Sequence, residues 1–206
     1  TQEISKKVDL SKLEKNLGYV FKNKNHIHLA LTHTSFVNEK NGKSVDSNQR
    51  MELLGDAVLD LVIVEQLMLL FKNEDEGALS KMRAFLVNED SLFEITLELD
   101  LGKFLFLGKG EENSGGRKKP SILSDAYEAV IAAIYLDRGY SKTKEVILSH
   151  FKKRFNDLVQ RRQVAMMDFD YKTKLQEFTQ NTMKKTPEYS IVDDKGPEHS
   201  KEFKSI

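Results

Sequence analysis

The chain is predicted to form an all-α domain followed by a small α+β unit, and three observations carry that prediction. From Leu10 to about Leu158, apolar residues recur at steps of three and four, the period of helices with one side in a core. After Met167 the character changes. One more helix, DFDYKTKLQEFTQ, precedes TPEYSIVDDKGPEHSKEFKSI, which reads as two short strands joined by a loop from Asp194 to Ser200. The length of 206 residues suffices for one medium domain and a small one. The expected division is 1–158, a linker over 159–167 and a second domain over 168–206. One helix and two strands bury little surface, so the second domain reads as truncated.

Taken in order, Leu10, Leu13, Leu17 and Val20 give a first helix over 9–20, with Gly18 near its end. Ile27, Leu29, Ala30 and Leu31 give a second over 26–34. HTSFVNEKNGKSVDSN then turns polar, and Asn41-Gly42 marks a turn. Ser47 or Asn48 can cap a long helix that runs to about Phe71. On it Met51, Leu54, Val58, Leu61, Val62, Met68 and Leu69 are expected to face the core.

NEDEG, at 73–77, breaks that helix, and the next stretch reads as one or two helices with a break near Asn88. Residues 100–119 look loop-like, with a brief apolar stretch at Phe104 to Leu107. The segment KGEENSGGRKK lacks the order of a phosphate-binding loop. It reads as a flexible basic loop, either solvated or touching a nucleic-acid backbone. Pro120 suits the first turn of a helix that runs to about Arg138 and ends at Gly139. A further helix spans Ser141 to about Leu158.

Cysteine is absent, which excludes a disulfide framework and thiolate chemistry. The first ten residues are polar and charged, so no secretory signal is expected, and no apolar run is long enough for a membrane span. Net charge is zero but unevenly spread. Residues 1–50 hold 9 basic and 5 acidic side chains, 51–150 hold 11 and 18, and 151–206 hold 12 and 9. An acidic centre between basic flanks suits a polyanion held over a bound cation.

The acidic excess has a focus. Glu52 and Asp56 lie four apart on the long helix, so their β-carbons are roughly 5–6 Å apart on one face. Asp125 and Glu128 lie three apart in the apolar run PSILSDAYEAVIAAIYLD. Each pair alone reads as a solvated face. If the two helices meet, four carboxylates converge, which requires protons or metal. Oxygen-only ligands favour Mg²⁺ or Mn²⁺. Gly55, between the first pair, costs about 1 kcal/mol against Ala in a helix, so something is expected to approach its backbone closely.

These residues also carry a family resemblance. NQRMELLGDAVL resembles the ribonuclease III signature, and KPSILSDAYEA resembles that family's second acidic motif. ALTHTSF and DYKTKLQEFTQ match in order and spacing, so the resemblance covers essentially the whole chain. It implies an all-α endonuclease domain that forms a homodimer, followed by a partial α+β double-stranded-RNA-binding domain. The implied activity is Mg²⁺-dependent hydrolysis of double-stranded RNA to 5′-phosphate and 3′-hydroxyl ends, in processing of ribosomal, messenger and transfer RNA. The implied setting is the cytoplasm, with no membrane partner and with Mn²⁺ able to substitute.

By the resemblance, Glu52, Asp125 and Glu128 ligate metal, and Asp56 orients water or shares a ligand position; Asp56 and Glu128 are the catalytic pair. Gln49 stands where the family usually has Glu, which leaves any auxiliary acidic role in doubt. Leu53 stands where the family often has a Phe at the dimer contact, and alternatively reads as an ordinary core Leu. Thr173, Gln176 and Gln180, on one helical face, and His199, in the strand–strand loop, are implied to bind the RNA minor groove. His26, His28, His33 and His150 read as structural or exposed. The alternative function is a double-stranded-RNA-binding protein of this fold with little or no cleavage.

Overall fold

Pro120 begins a helical run, α8 (Pro120–Met183), whose first turns are apolar on nearly every side. Ala126, Tyr127 and Ala129 to Ile134 are fully buried. A helix buried all round forms the axis of its domain. The structure, a computed structural model, describes residues 9–183, 191–195 and 202–205, with side chains over 9–162 and 179–180. The chain divides into two units, Thr1–Phe155 and Asn156–Ile206.

In the first unit, α1 (Leu10–Leu17) buries Leu10, Leu13 and Leu17. Asp9 caps it by accepting from the Ser11 N–H at 3.0 Å, and Gly18 ends it in the left-handed region at φ 65°. It is followed by α2 (Lys24–Ala30) and α3 (Thr34–Glu39). Asp137 of α8 fastens the α1–α2 connection. Its carboxylate accepts from the Tyr19 hydroxyl at 2.6 Å and from the Lys22 and Asn23 N–H groups at 2.8 Å. His150 braces the same region. Tyr127 O–H lies 3.1 Å from its Nδ1, and its Nε2 lies 3.1 Å from the Leu17 carbonyl. A neutral ring satisfies both contacts, and burial holds its pKa below the usual histidine value.

The long helix is α4 (Gln49–Leu70). Neither Ser47 nor Asn48 caps it by side chain, against expectation. Ser47 Oγ donates to the Ser44 carbonyl at 2.7 Å, and Asn48 donates its N–H to the Thr32 carbonyl at 2.8 Å. The expected core face is also partly wrong. Met51, Val58 and Val62 are buried, with Gly55, Leu59, Ile63 and Leu67, whereas Leu61, Met68 and Leu69 are more than half exposed. A helix with apolar residues on two sides does not reveal from spacing which side faces inward.

After α4 come α5 (Glu76–Val87) and α6 (Glu89–Glu98), separated at Asn88 as expected; Asn88 caps α6. Residues 100–119 are not the flexible loop the composition predicts. They hold a 3-10 turn at Leu101–Phe104, α7 (Lys109–Asn113) and a second 3-10 turn at Gly116–Lys118. Arg117 donates to the carbonyls of Gly102 and Leu105 at 2.8 and 2.9 Å and pairs with Glu112. Lys119 pairs with Glu111 at 2.5 Å. The basic side chains that suggested a free loop are the ties that order it.

Gly139 carries φ 73° and ψ −176°, so α8 is two helices meeting at a glycine, as the sequence predicted. Helical backbone continues through 159–167 and through the DFDYKTKLQEFTQ segment. The second unit also contains β1 (Ile191–Lys195) and β2 (Glu202–Ser205), paired antiparallel with Asp194 opposite Phe203.

Candidate active site

Glu52 lies in the first turn of α4, where the helix macrodipole favours a negative charge. Asp125 and Glu128 are the two acids of the buried run of α8. The two helices meet backbone to backbone at Gly55. A Cβ there would lie 1.8 Å from the Glu128 carbonyl oxygen. This close approach is what the helix-breaking glycine predicted, and it places the α4 acids beside the α8 acids. One carboxylate oxygen from each of Glu52, Asp125 and Glu128 lies within 4.8 Å of the others. All three side chains are half-buried. Asp56, one turn further along α4, is exposed and outside this trio.

Charge and burial act together here. Burial, then the charges of Asp56, Asp125, Glu52 and Asp60, push the Glu128 carboxyl up to about 8. Burial and neighbouring acids also raise Glu52 and Asp125; Glu89 adds to the effect on Asp125. Folded, cation-free protein therefore binds protons that the unfolded chain releases. Stability from Glu128 is present below the ordinary carboxyl value of 4.5 and is lost as pH rises to about 8. A cation replacing the proton reverses the loss. Mn²⁺ is expected to raise the melting temperature more at pH 8.5 than at pH 5.5; an equal rise at both pH values would count against a shared cation site.

The donor set fits a hard divalent cation. It offers three converging carboxylate oxygens, without nitrogen or sulfur, on groups that repel one another when ionised.

His33, expected to be structural or exposed, stands near this group. Its Nδ1 accepts from the Ser35 N–H at 3.2 Å and so caps α3. Burial lowers its pKa, against the opposing charges of Glu111 and Asp125. The ALTHTSF motif was visible in the sequence, but its approach to α8 depends on tertiary pairing: His33 N–H donates to the Phe106 carbonyl at 3.0 Å. Gln49 is exposed, and its Oε1 accepts from Ser44 Oγ at 3.0 Å. Leu53 is 75% exposed, which excludes the core reading in this subunit. Gln180 is exposed. The side chains of Thr173 and Gln176, and all of His199, lie outside the described residues.

An all-helical domain with three carboxylate oxygens converging at a helix contact offers the donor set of a divalent-cation site. Two family models match the chain: ribonuclease-III-like over 23–155 and the double-stranded RNA binding motif over 171–206. Ribonuclease 3 of Campylobacter jejuni is 48% identical over 195 residues, which cover 95% of this chain and 83% of that protein. Ribonuclease 3 of Pseudothermotoga lettingae is 44% identical, with 91% and 78% covered. The solved nuclease domain of Campylobacter jejuni ribonuclease III, described as having structural flexibility in a region involved in dimer formation, superposes with a TM-score of 0.67. It is 49% identical and covers 72% of this chain and 99% of that domain. Dicer from Pichia stipitis, 20% identical with a TM-score of 0.51, shares the fold.

The chain belongs to the ribonuclease-III-like family. It is an endoribonuclease acting on double-stranded RNA.

Proposed function

We propose that Glu52, Asp125 and Glu128 hold Mg²⁺, with Mn²⁺ as a substitute, and that this group is the cleavage centre. The observation that carries the reading is the convergence of the three carboxylate oxygens within 4.8 Å across the α4–α8 contact. A bound divalent cation supplies a nucleophile from water near neutral pH and stabilises charge on the leaving oxygen. The protein's own residues do the rest. Glu128, pushed up to about 8 by burial and the neighbouring acids, would hold a proton in the cation-free fold and would serve as a ligand once ionised. Asp56, exposed one turn along α4, orients water or shares a ligand position. Gln49, with its carbonyl oxygen engaged by Ser44, presents its amide N–H₂ as a donor to substrate. Products are 5′-phosphate and 3′-hydroxyl ends, from ribosomal, messenger and transfer RNA precursors in the cytoplasm. No described helix is long and apolar enough to cross a membrane.

The working unit is a homodimer. Leu53, Ala57, Leu61 and Met68 form an exposed apolar stripe along α4, at steps of four, four and seven. Leu53 is its first contact. The domains divide at 159–167, with the double-stranded-RNA-binding domain over 168–206, where Thr173, Gln176, Gln180 and His199 grip the minor groove.

A cleavage assay on a long RNA duplex tests the reading. Mg²⁺ and Mn²⁺ are expected to support staggered cutting, and Ca²⁺ binding without cutting. Duplex binding without cleavage in Mg²⁺ would favour a binding protein of the same fold.

A further inference from the structure

Asp60 lies one turn beyond Asp56 and two beyond Glu52, so the face of α4 that carries the cleavage acids bears a third carboxylate. Arg83, reaching from α5, donates from Nη1 to Asp60 Oδ2. The contact is one-sided. Asp60 Oδ1 is buried and has no hydrogen-bond partner among the described residues. A guanidinium fork can engage both oxygens of a carboxylate, and here it engages one. Half of the carboxylate remains unengaged, on the helix face that carries Glu52 and Asp56. Asp60 is not among the converging oxygens.

We propose that Arg83, acting through Asp60, sets the cation affinity of the Glu52–Asp125–Glu128 group. It is a positioning residue and touches neither substrate nor cation. The physical basis is Coulombic. An unopposed Asp60 adds a negative charge beside a dicationic site in a partly buried setting, where screening is weak. Arg83 sets a positive charge against it. Removing either partner leaves the other's charge acting on the site, so the two removals act with opposite signs. The inference rests on the cleavage-centre reading above.

Calorimetric titration of Mn²⁺ into the full chain, without RNA, tests it. Asp60→Asn leaves Arg83 unopposed and is expected to weaken Mn²⁺ binding at least threefold. Arg83→Gln leaves Asp60 unopposed and is expected to tighten it at least threefold. The double variant should return to within twofold of the unmodified chain, and Arg83→Lys should stay close to it. A merely structural pair would shift both single variants the same way, or neither, and that result overturns the proposal. If Arg83→Gln unfolds too readily to titrate, Asp60→Asn decides alone: unchanged or tighter binding overturns it. Glu128→Gln separates the two readings. If that variant titrates like the unmodified chain, the cation is not at the cleavage group and both readings fall. If Glu128→Gln loses binding while the pair variants do not move, only the pair's role fails.

Discussion

Glu128→Gln is expected to lower cleavage of an RNA duplex by about a thousandfold or more while changing duplex affinity less than about threefold. The substitution keeps the size of the side chain and a carbonyl oxygen. It removes the charge a divalent cation needs, from the most strongly perturbed of the three converging acids. Duplex affinity comes mainly from cationic side chains that neutralise phosphates, and the substitution removes none of them. The same variant has a second signature. Ionised Glu128 is unfavourable in the cation-free fold, so an amide there should melt at an equal or higher temperature, with the gain growing as pH rises towards about 8. Paired cleavage and gel-shift assays with a melting series check both. Parallel loss of cutting, binding and stability would mean that Glu128 is a structural residue.

Gly55→Ala is expected to be nearly as damaging, for a mechanical reason. Alanine is the better helix former by about 1 kcal/mol, so propensity alone predicts stabilisation. The added Cβ would sit 1.8 Å from the Glu128 carbonyl oxygen and 2.4 Å from its carbonyl carbon. Backbone cannot swing aside as a side chain does, so α4 and α8 must separate. Overpacking of that kind costs about 1–3 kcal/mol or more, which outweighs the propensity gain. Separation also displaces Glu52 and Asp56 from Asp125 and Glu128. Misplacement by about 1 Å can cost about a hundredfold in rate. Thermal melts and single-turnover cleavage should therefore both fall. A stabilised, fully active Gly55→Ala would show that the helices are not in contact there.

The elements that position the site were legible in the sequence because their signals are local. Gly55 costs stability in any helix, so its presence in α4 required a close neighbour, and Glu128 is that neighbour. Gly139 read as a helix end and adopts a positive φ. Asp125 and Glu128 were conspicuous as an acidic pair three apart inside an apolar run.

What was misread depends on contacts distant in sequence. The 100–119 segment is ordered because Arg117 reaches carbonyls 15 and 12 residues away, which composition cannot show. Leu61, Met68 and Leu69 obey helical spacing, yet spacing does not say which of two apolar sides faces the core. His33 reaches the neighbourhood of Asp125 through the bridge between Thr32 and Phe106, a pairing without a local signature. Asp60 was a different omission. Its place in a row of acids at steps of four was available, but its Arg83 partner came only with the fold.

The most direct measurement is anomalous diffraction from a crystal of the protein soaked in Mn²⁺. An anomalous peak is predicted between α4 and α8, at about 2.0–2.2 Å from carboxylate oxygens of Glu52, Asp125 and Glu128, which is the usual range for a small hard dication. A crystal that takes up Mn²⁺ elsewhere and leaves those three acids without a peak at saturating metal would contradict the assignment of the cleavage centre.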